Sequence, residues 1–83
     1  MVIELKDTAD KVISIIAQKL NIETALVREQ STLQDIGADS LDMVEIIMKI
    51  EEEFGIEIND EAAENLHNIG DVIKYVHQLR IKS

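Results

Sequence analysis

The sequence predicts an all-α fold, a small four-helix bundle of three longer helices and one short one, with a long first loop. Three observations predict it. Ile, Val and Leu recur at three- and four-residue spacing rather than in alternation. Proline is absent and glycine occurs three times, too rarely for the turns of a sheet of short strands. Phe54 and Tyr75 are the only aromatics, so the core must be built from Ile, Val, Leu, Ala and Met. Eighty-three residues read as one domain over 1–83, of a size that buries about 60% of its unfolded surface.

The first helix is predicted from Asp7 or Thr8, either of which can cap it, to Leu20. Its stripe is Ala9, Val12, Ile13, Ile16, Ala17 and Leu20, with Ile15 off the face and exposed. Residues 21–38 then form a connection long enough to need structure of its own. Thr24–Val27 can supply a short turn, and Ile22, Leu26, Val27, Leu33 and Ile36 read as anchors to the bundle.

The second helix, Ser40 to Phe54, follows Gly37-Ala38-Asp39. Gly37 allows a sharp turn into it, and Asp39 suits the N-cap, its carboxylate accepting from a first-turn amide. Ser40 thus stands at a helix N-terminus, where a phosphate ester would meet unpaired amides and the positive end of the macrodipole. Met43, Ile46, Ile47, Ile50 and Phe54 make one apolar stripe, which burial accounts for. Leu41, Val44 and Met48 make a second stripe, bordered by acids, which reads as a docking face for a partner with basic groups. From Asp35 to Phe54 there are seven acids and one base, Lys49. Asp42, Glu45, Glu51 and Glu52, with Val44 and Met48, are the expected partner contacts, whereas Glu53 reads as solvated.

Gly55 ends this helix. Ile56-Glu57-Ile58 is too short for an independent strand and reads as an extended connector burying its isoleucines. A short helix from about Asp60 to Leu66 has Asn59 or Asp60 as its cap and Ala62, Ala63 and Leu66 inward. Asn68 and Asp71 have the spacing of a capping box. Ile69, Val72, Ile73, Val76 and Leu79 then stripe a last helix to Leu79 or Arg80, followed by a frayed tail.

A net charge of −9 disfavours nucleic acid and anionic membrane surfaces and favours basic protein partners. With no cysteine there are no disulfides, thiolate ligands or Cys nucleophiles, so thiol chemistry must come from an attached group. Residues 1–10 hold three acids and no long apolar run, which argues against a signal or transit peptide. No apolar run reaches the length of a membrane span, and the expected compartment is the cytoplasm. Catalysis is not expected, because nothing in the sequence places His67 or His77 beside Ser40 as a base. No metal site is expected either: the histidines lack helical ligand spacing, and an EF-hand register from Asp35 puts Gly37 and Ile46 where oxygen ligands belong.

Gly37-Ala38-Asp39-Ser40-Leu41-Asp42, the run Glu51-Glu52-Glu53-Phe54-Gly55, and the Gly-Asp-Val-Ile-x-Tyr run at 70–75 together resemble an acyl carrier protein. More narrowly, the chain is similar to the free-standing type of bacterial fatty-acid synthesis, over essentially its whole length. The resemblance implies that Ser40, between Asp39 and Leu41, carries 4′-phosphopantetheine, whose thiol holds acyl groups as thioesters. It implies attack of Ser40 Oγ on the pyrophosphate of coenzyme A within a phosphopantetheinyl transferase, which supplies the base, the metal and a basic surface. The partners it implies are that transferase and basic-surfaced ketoacyl synthases, reductases, dehydratases and acyltransferases, which meet the second helix around Met48. It further implies a monomer, a long ordered first loop, and an acyl chain able to retreat between the helices. Asn59 stands where many members have proline. Polyketide, peptide or D-alanine transfer is the alternative within this class, and an unmodified acidic helical adaptor the alternative outside it.

The charge also generates a prediction, because like charges crowded on a compact chain repel one another. Moderate NaCl or Mg²⁺ should raise the melting temperature; a flat or falling series in circular-dichroism melts would refute this.

Overall fold

A computed structural model describes residues 4–82, in which four α-helices and one 3₁₀ turn form and, among the described residues, no strand. The helices are α1 (Leu5–Leu20), α2 (Ser40–Phe54), α3 (Asp60–Glu64) and α4 (Ile69–Lys82), with the 3₁₀ turn at Thr24–Leu26. Three long helices and one short helix after a long first loop are what the hydrophobic spacing predicts.

The start of α1 differs from the sequence expectation. Neither Asp7 nor Thr8 caps it; the Glu4 carbonyl accepts from the amides of Asp7 and Thr8, and no side chain caps the end. Thr8 lies inside the helix and is fully buried. The far end stops at Asn21, in the left-handed conformation at φ 56°, with Ile22 N–H reaching back to Ala17 O. Asparagine tolerates this geometry, which lets the loop leave with its amides bonded. Ile15 is half-buried against the core rather than exposed.

The loop is ordered by its own backbone. Val27 and Leu33 are buried and Ile22 and Ile36 half-buried, as anchors should be. Leu26 is 55% exposed and is not an anchor. Its short turn directs one of two adjacent side chains inward, and Val27 takes that place. Two loop carbonyls also serve α4: Glu29 O accepts from Gly70 N–H at 2.9 Å and Ser31 O from Ile69 N–H at 3.0 Å. A Cβ on Gly70 would stand 3.2 Å from Glu29 O, so glycine permits this close approach.

The core lies where α1, α2 and α4 meet: Val12 and Ile16, Ile46 and Ile50, and Ile69, Ile73 and Val76 are all buried. Arg80 pairs with Asp7 at one end of α1 and Lys19 with Glu45 near the other. Hence α1 runs antiparallel to both α4 and α2. Ile58 is buried and Ile56 half-buried, so the connector after α2 packs as expected. Asn59 Oδ1 caps α3 by accepting from Ala62 N–H at 2.7 Å, and α3 ends at Glu64, two residues short of Leu66. Asn68 Oδ1 accepts from Asp71 N–H at 2.8 Å, but the return bond expected from Asp71 does not form.

The last helix runs on through Lys82, past the expected fraying point. Arg80 is fixed by Thr8 and Asp7, and its guanidinium lies 4.8 Å from the centroid of the Phe54 ring. Of the expected tail, Ser83 lies outside the described residues. No helix among them is long and apolar enough to cross a membrane.

The two stripes of α2 have different fates. Ile46 and Ile50 are fully buried, while Leu41, Val44 and Met48 are 65%, 56% and 53% exposed. Ile50→Ala should therefore cost about 2–5 kcal/mol through the cavity it leaves, and Met48→Ala less than about 1 kcal/mol. Urea unfolding of both variants checks this, and equal losses would show that Met48 belongs to the core.

Candidate functional site

The site is built at the junction of the loop and α2. Thr32 and Asp35 hold the approach by a reciprocal pair, Thr32 N–H to Asp35 Oδ2 at 3.1 Å and Asp35 N–H to Thr32 Oγ1 at 3.0 Å. The turn they start closes with Ala38 N–H on Leu33 O and Gly37 N–H on Gln34 O. Gly37 sits at φ 98°, where any side chain would be strained although nothing lies within 4 Å of its missing Cβ. Buried Ala38 then pins the chain to the core.

Asp39 is the N-cap, as expected. Its Oδ1 accepts from Asp42 N–H at 2.8 Å, and Asp42 Oδ2 accepts from Asp39 N–H at 3.2 Å. Met43 N–H goes to Asp39 O. The amides of Ser40 and Leu41 are therefore left, among the described residues, without a hydrogen bond. Ser40 is the first helical residue and exposed, and its hydroxyl is bonded to none of the described residues. An anion joined to Ser40 Oγ would find two open N–H groups beside it at the positive helix end.

A groove of about 590 Å³ opens at Ser40. Met43, Val44, Ile47, Met48 and Glu51 of α2 form one wall; Leu33, Ile58, Ala63, Leu66 and Val72 face them. From Ser40 to Glu51 the helix rises roughly 16 Å at 1.5 Å per residue. The groove is therefore long, mostly apolar and anchored at the serine. A smaller cavity of about 250 Å³, bounded by Thr32, Gln34, His67 and Asn68, shares Leu33, Met43, Ala63 and Leu66 with it.

The expected partner residues share one side of α2 but not one role. Val44 and Met48 are both exposed and on the groove wall, while Leu41 stands outside it beside Ser40. Glu52 is exposed. The other three acids have work inside the fold: Asp42 closes the capping box, Glu45 pairs with Lys19 of α1, and Glu51 Oε2 accepts from Ile58 N–H at 2.8 Å. Sequence reasoning missed the Glu51 bond, which ties α2 to the wall opposite. It also missed Gly70, whose signal is only a glycine near a helix start. His67 is exposed, His77 bonds to Thr8, and neither lines the groove at Ser40. Among the described residues no group of three His, Cys, Asp or Glu is placed to hold a metal ion.

Comparison with known proteins finds relatives over most of the chain. A family model described as "Phosphopantetheine attachment site" matches residues 10–76. The acyl carrier protein of Helicobacter pylori strain G27 is 49% identical over 69 residues, which span 82% of this chain and 88% of that protein. The same identity and coverage hold for the acyl carrier proteins of H. pylori strain HPAG1 and Helicobacter acinonychis strain Sheeba.

The bond from Ile58 separates Glu51 from its neighbour. Glu51→Lys should lose about 1–3 kcal/mol by stranding a part-buried amide, whereas Glu52→Lys should lie within about 0.5 kcal/mol of wild type. Denaturant midpoints measure both, and equal stabilities would show that the Ile58 bond contributes nothing.

Proposed function

The chain belongs to the acyl carrier protein family, and from that premise we propose that Ser40 is its point of phosphopantetheine attachment and that its acyl cargo serves fatty-acid synthesis. Its function is to carry acyl groups rather than to catalyse. The covalent 4′-phosphopantetheine of this family supplies a thiol at the end of a flexible arm, on which acyl groups are held as thioesters. The observation that carries the assignment to Ser40 is an exposed hydroxyl, bonded to none of the described residues, at a capped helix start where an apolar groove opens.

The residues around Ser40 fit such a group. Ser40 and Leu41 present open amides to a phosphodiester, which lowers the cost of placing its charge near Asp39 and Asp42. Those two carboxylates are already turned onto amides by the capping box. The groove wall of Met43, Ile47, Leu66 and Val72 offers an aliphatic chain a place out of water.

Docking relies on the same surface. Leu41, Val44 and Met48 give a small apolar patch, and Glu52, with the outward parts of Glu45 and Glu51, gives a negative rim. A phosphopantetheinyl transferase and fatty-acid synthesis enzymes with basic surfaces fit it, including ketoacyl synthases, reductases, dehydratases and acyltransferases. Association should be fast, weak and salt-sensitive, since rim charges act mainly on encounter.

Intact mass after incubation with coenzyme A, Mg²⁺ and a phosphopantetheinyl transferase tests the assignment. Wild type should gain one phosphopantetheinyl group and Ser40→Ala none. No gain in wild type, with the transferase active on a control carrier, would point to an unmodified adaptor. A gain in Ser40→Ala would move the attachment elsewhere.

A further inference from the structure

The seam between the start of α1 and the end of α4 holds a polar cluster that acyl carriage does not use. Thr8 is 0% exposed. Its Oγ1 lies 2.8 Å from Arg80 Nη1 and 3.0 Å from His77 Nδ1. Arg80 Nη1 also donates to Asp7 Oδ2 at 3.2 Å, and Lys11 pairs with the same oxygen at 3.7 Å.

Donor and acceptor chemistry fixes the direction of each bond. A guanidinium has only donors, so Thr8 Oγ1 accepts from Arg80. The threonine hydroxyl proton then needs an acceptor, because a buried O–H left unpaired is costly. Thr8 makes no other side-chain bond among the described residues, which leaves His77 Nδ1 as that acceptor. We infer that Thr8 donates to His77 Nδ1, which places the imidazole proton on Nε2, and that the α1–α4 seam is a proton-sensitive clamp.

Proton uptake at Nδ1 reverses the arrangement. The imidazole becomes a donor, the threonine proton loses its acceptor, and a second cation stands near Arg80. The charged groups around His77 are Asp7 and Lys11 on α1 and Lys74 and Arg80 on α4. On α2 the seam meets Phe54, with the exposed Glu53 beside it. Among the described residues, Asp7 is the carboxylate held in the cluster, and Arg80 and Lys11 already share it. The clamp is therefore complete while His77 is neutral and opens as the pH falls. Because Arg80 covers Phe54, opening also loosens the end of α2 remote from Ser40.

Thermal midpoints of the full chain at about pH 8 and pH 5, an interval that spans histidine titration, test this in wild type, His77→Gln and His67→Gln. Each variant is compared with itself, which removes the general effect of acid on a chain of charge −9. On acidification the wild-type midpoint should fall by at least about 4 °C more than that of His77→Gln, with His67→Gln following wild type. Parallel changes in wild type and His77→Gln would overturn the inference. If His77→Gln does not fold, long-range ¹H–¹⁵N spectra of the wild-type imidazole decide: an unprotonated Nδ1 at pH 8 supports the clamp, and a protonated one overturns it.

Discussion

Everything at Ser40 depends on how the chain is steered into α2. A helix start leaves amides open, and which ones stay open decides what can bind there. Gly37 in a left-handed conformation ends the preceding turn, and buried Ala38 fixes where Asp39 and Ser40 stand. Asp39 and Asp42 then use up each other's amides, so the open ones are those of Ser40 and Leu41. Shifting the cap by one residue would aim the serine and its free amides elsewhere around the helix. Local backbone chemistry positions the hydroxyl, while the hydrophobic core supplies only the platform.

The groove has a different origin, in the unequal lengths of the helices. Long helices α1 and α4 can cover one side of α2 completely, which is why Ile46 and Ile50 are buried. On the remaining side stands α3, five residues long and burying no residue completely. So short an element cannot seal a flank of α2, and the gap is bridged by the bond from Ile58 to Glu51. A longer α3 would make a better-packed bundle with no apolar channel leading from the serine.

The long-range pattern was legible in the sequence because helical periodicity reports burial directly. It separated Ile46 and Ile50 from Val44 and Met48, and it found Asp39 and Gly37 through their preferred backbone roles. Thr8 and Leu26 were misread, and the internal bond of Glu51 was missed, for one shared reason. Each side chain takes its role from a partner remote in sequence or from a neighbour competing for the same inward place. Thr8 looks like a cap until His77 and Arg80 are beside it. Glu51 looks like a surface acid until the connector folds back and presents Ile58 N–H. Periodicity registers which face is apolar, but not which polar group a folded chain will bring to that face.

On the docking proposed above, the acids of α2 would meet a basic partner under the same constraint. Seven acids from Asp35 to Phe54 suggest a uniform negative surface, yet Asp42, Glu45 and Glu51 each spend an oxygen inside the fold. A carboxylate has room for further hydrogen bonds on its remaining lone pairs, so such an acid can still meet a basic partner, but from a fixed position. A fixed charge loses less side-chain entropy on docking than a freely rotating glutamate. On that docking, the internal bonds would favour recognition as well as stability. Beside these three, Glu52 and Glu53 are exposed acids that can reorient. Weak, reversible docking is consistent with such a face: its charges are placed in advance, its apolar patch is small, and its core is committed elsewhere.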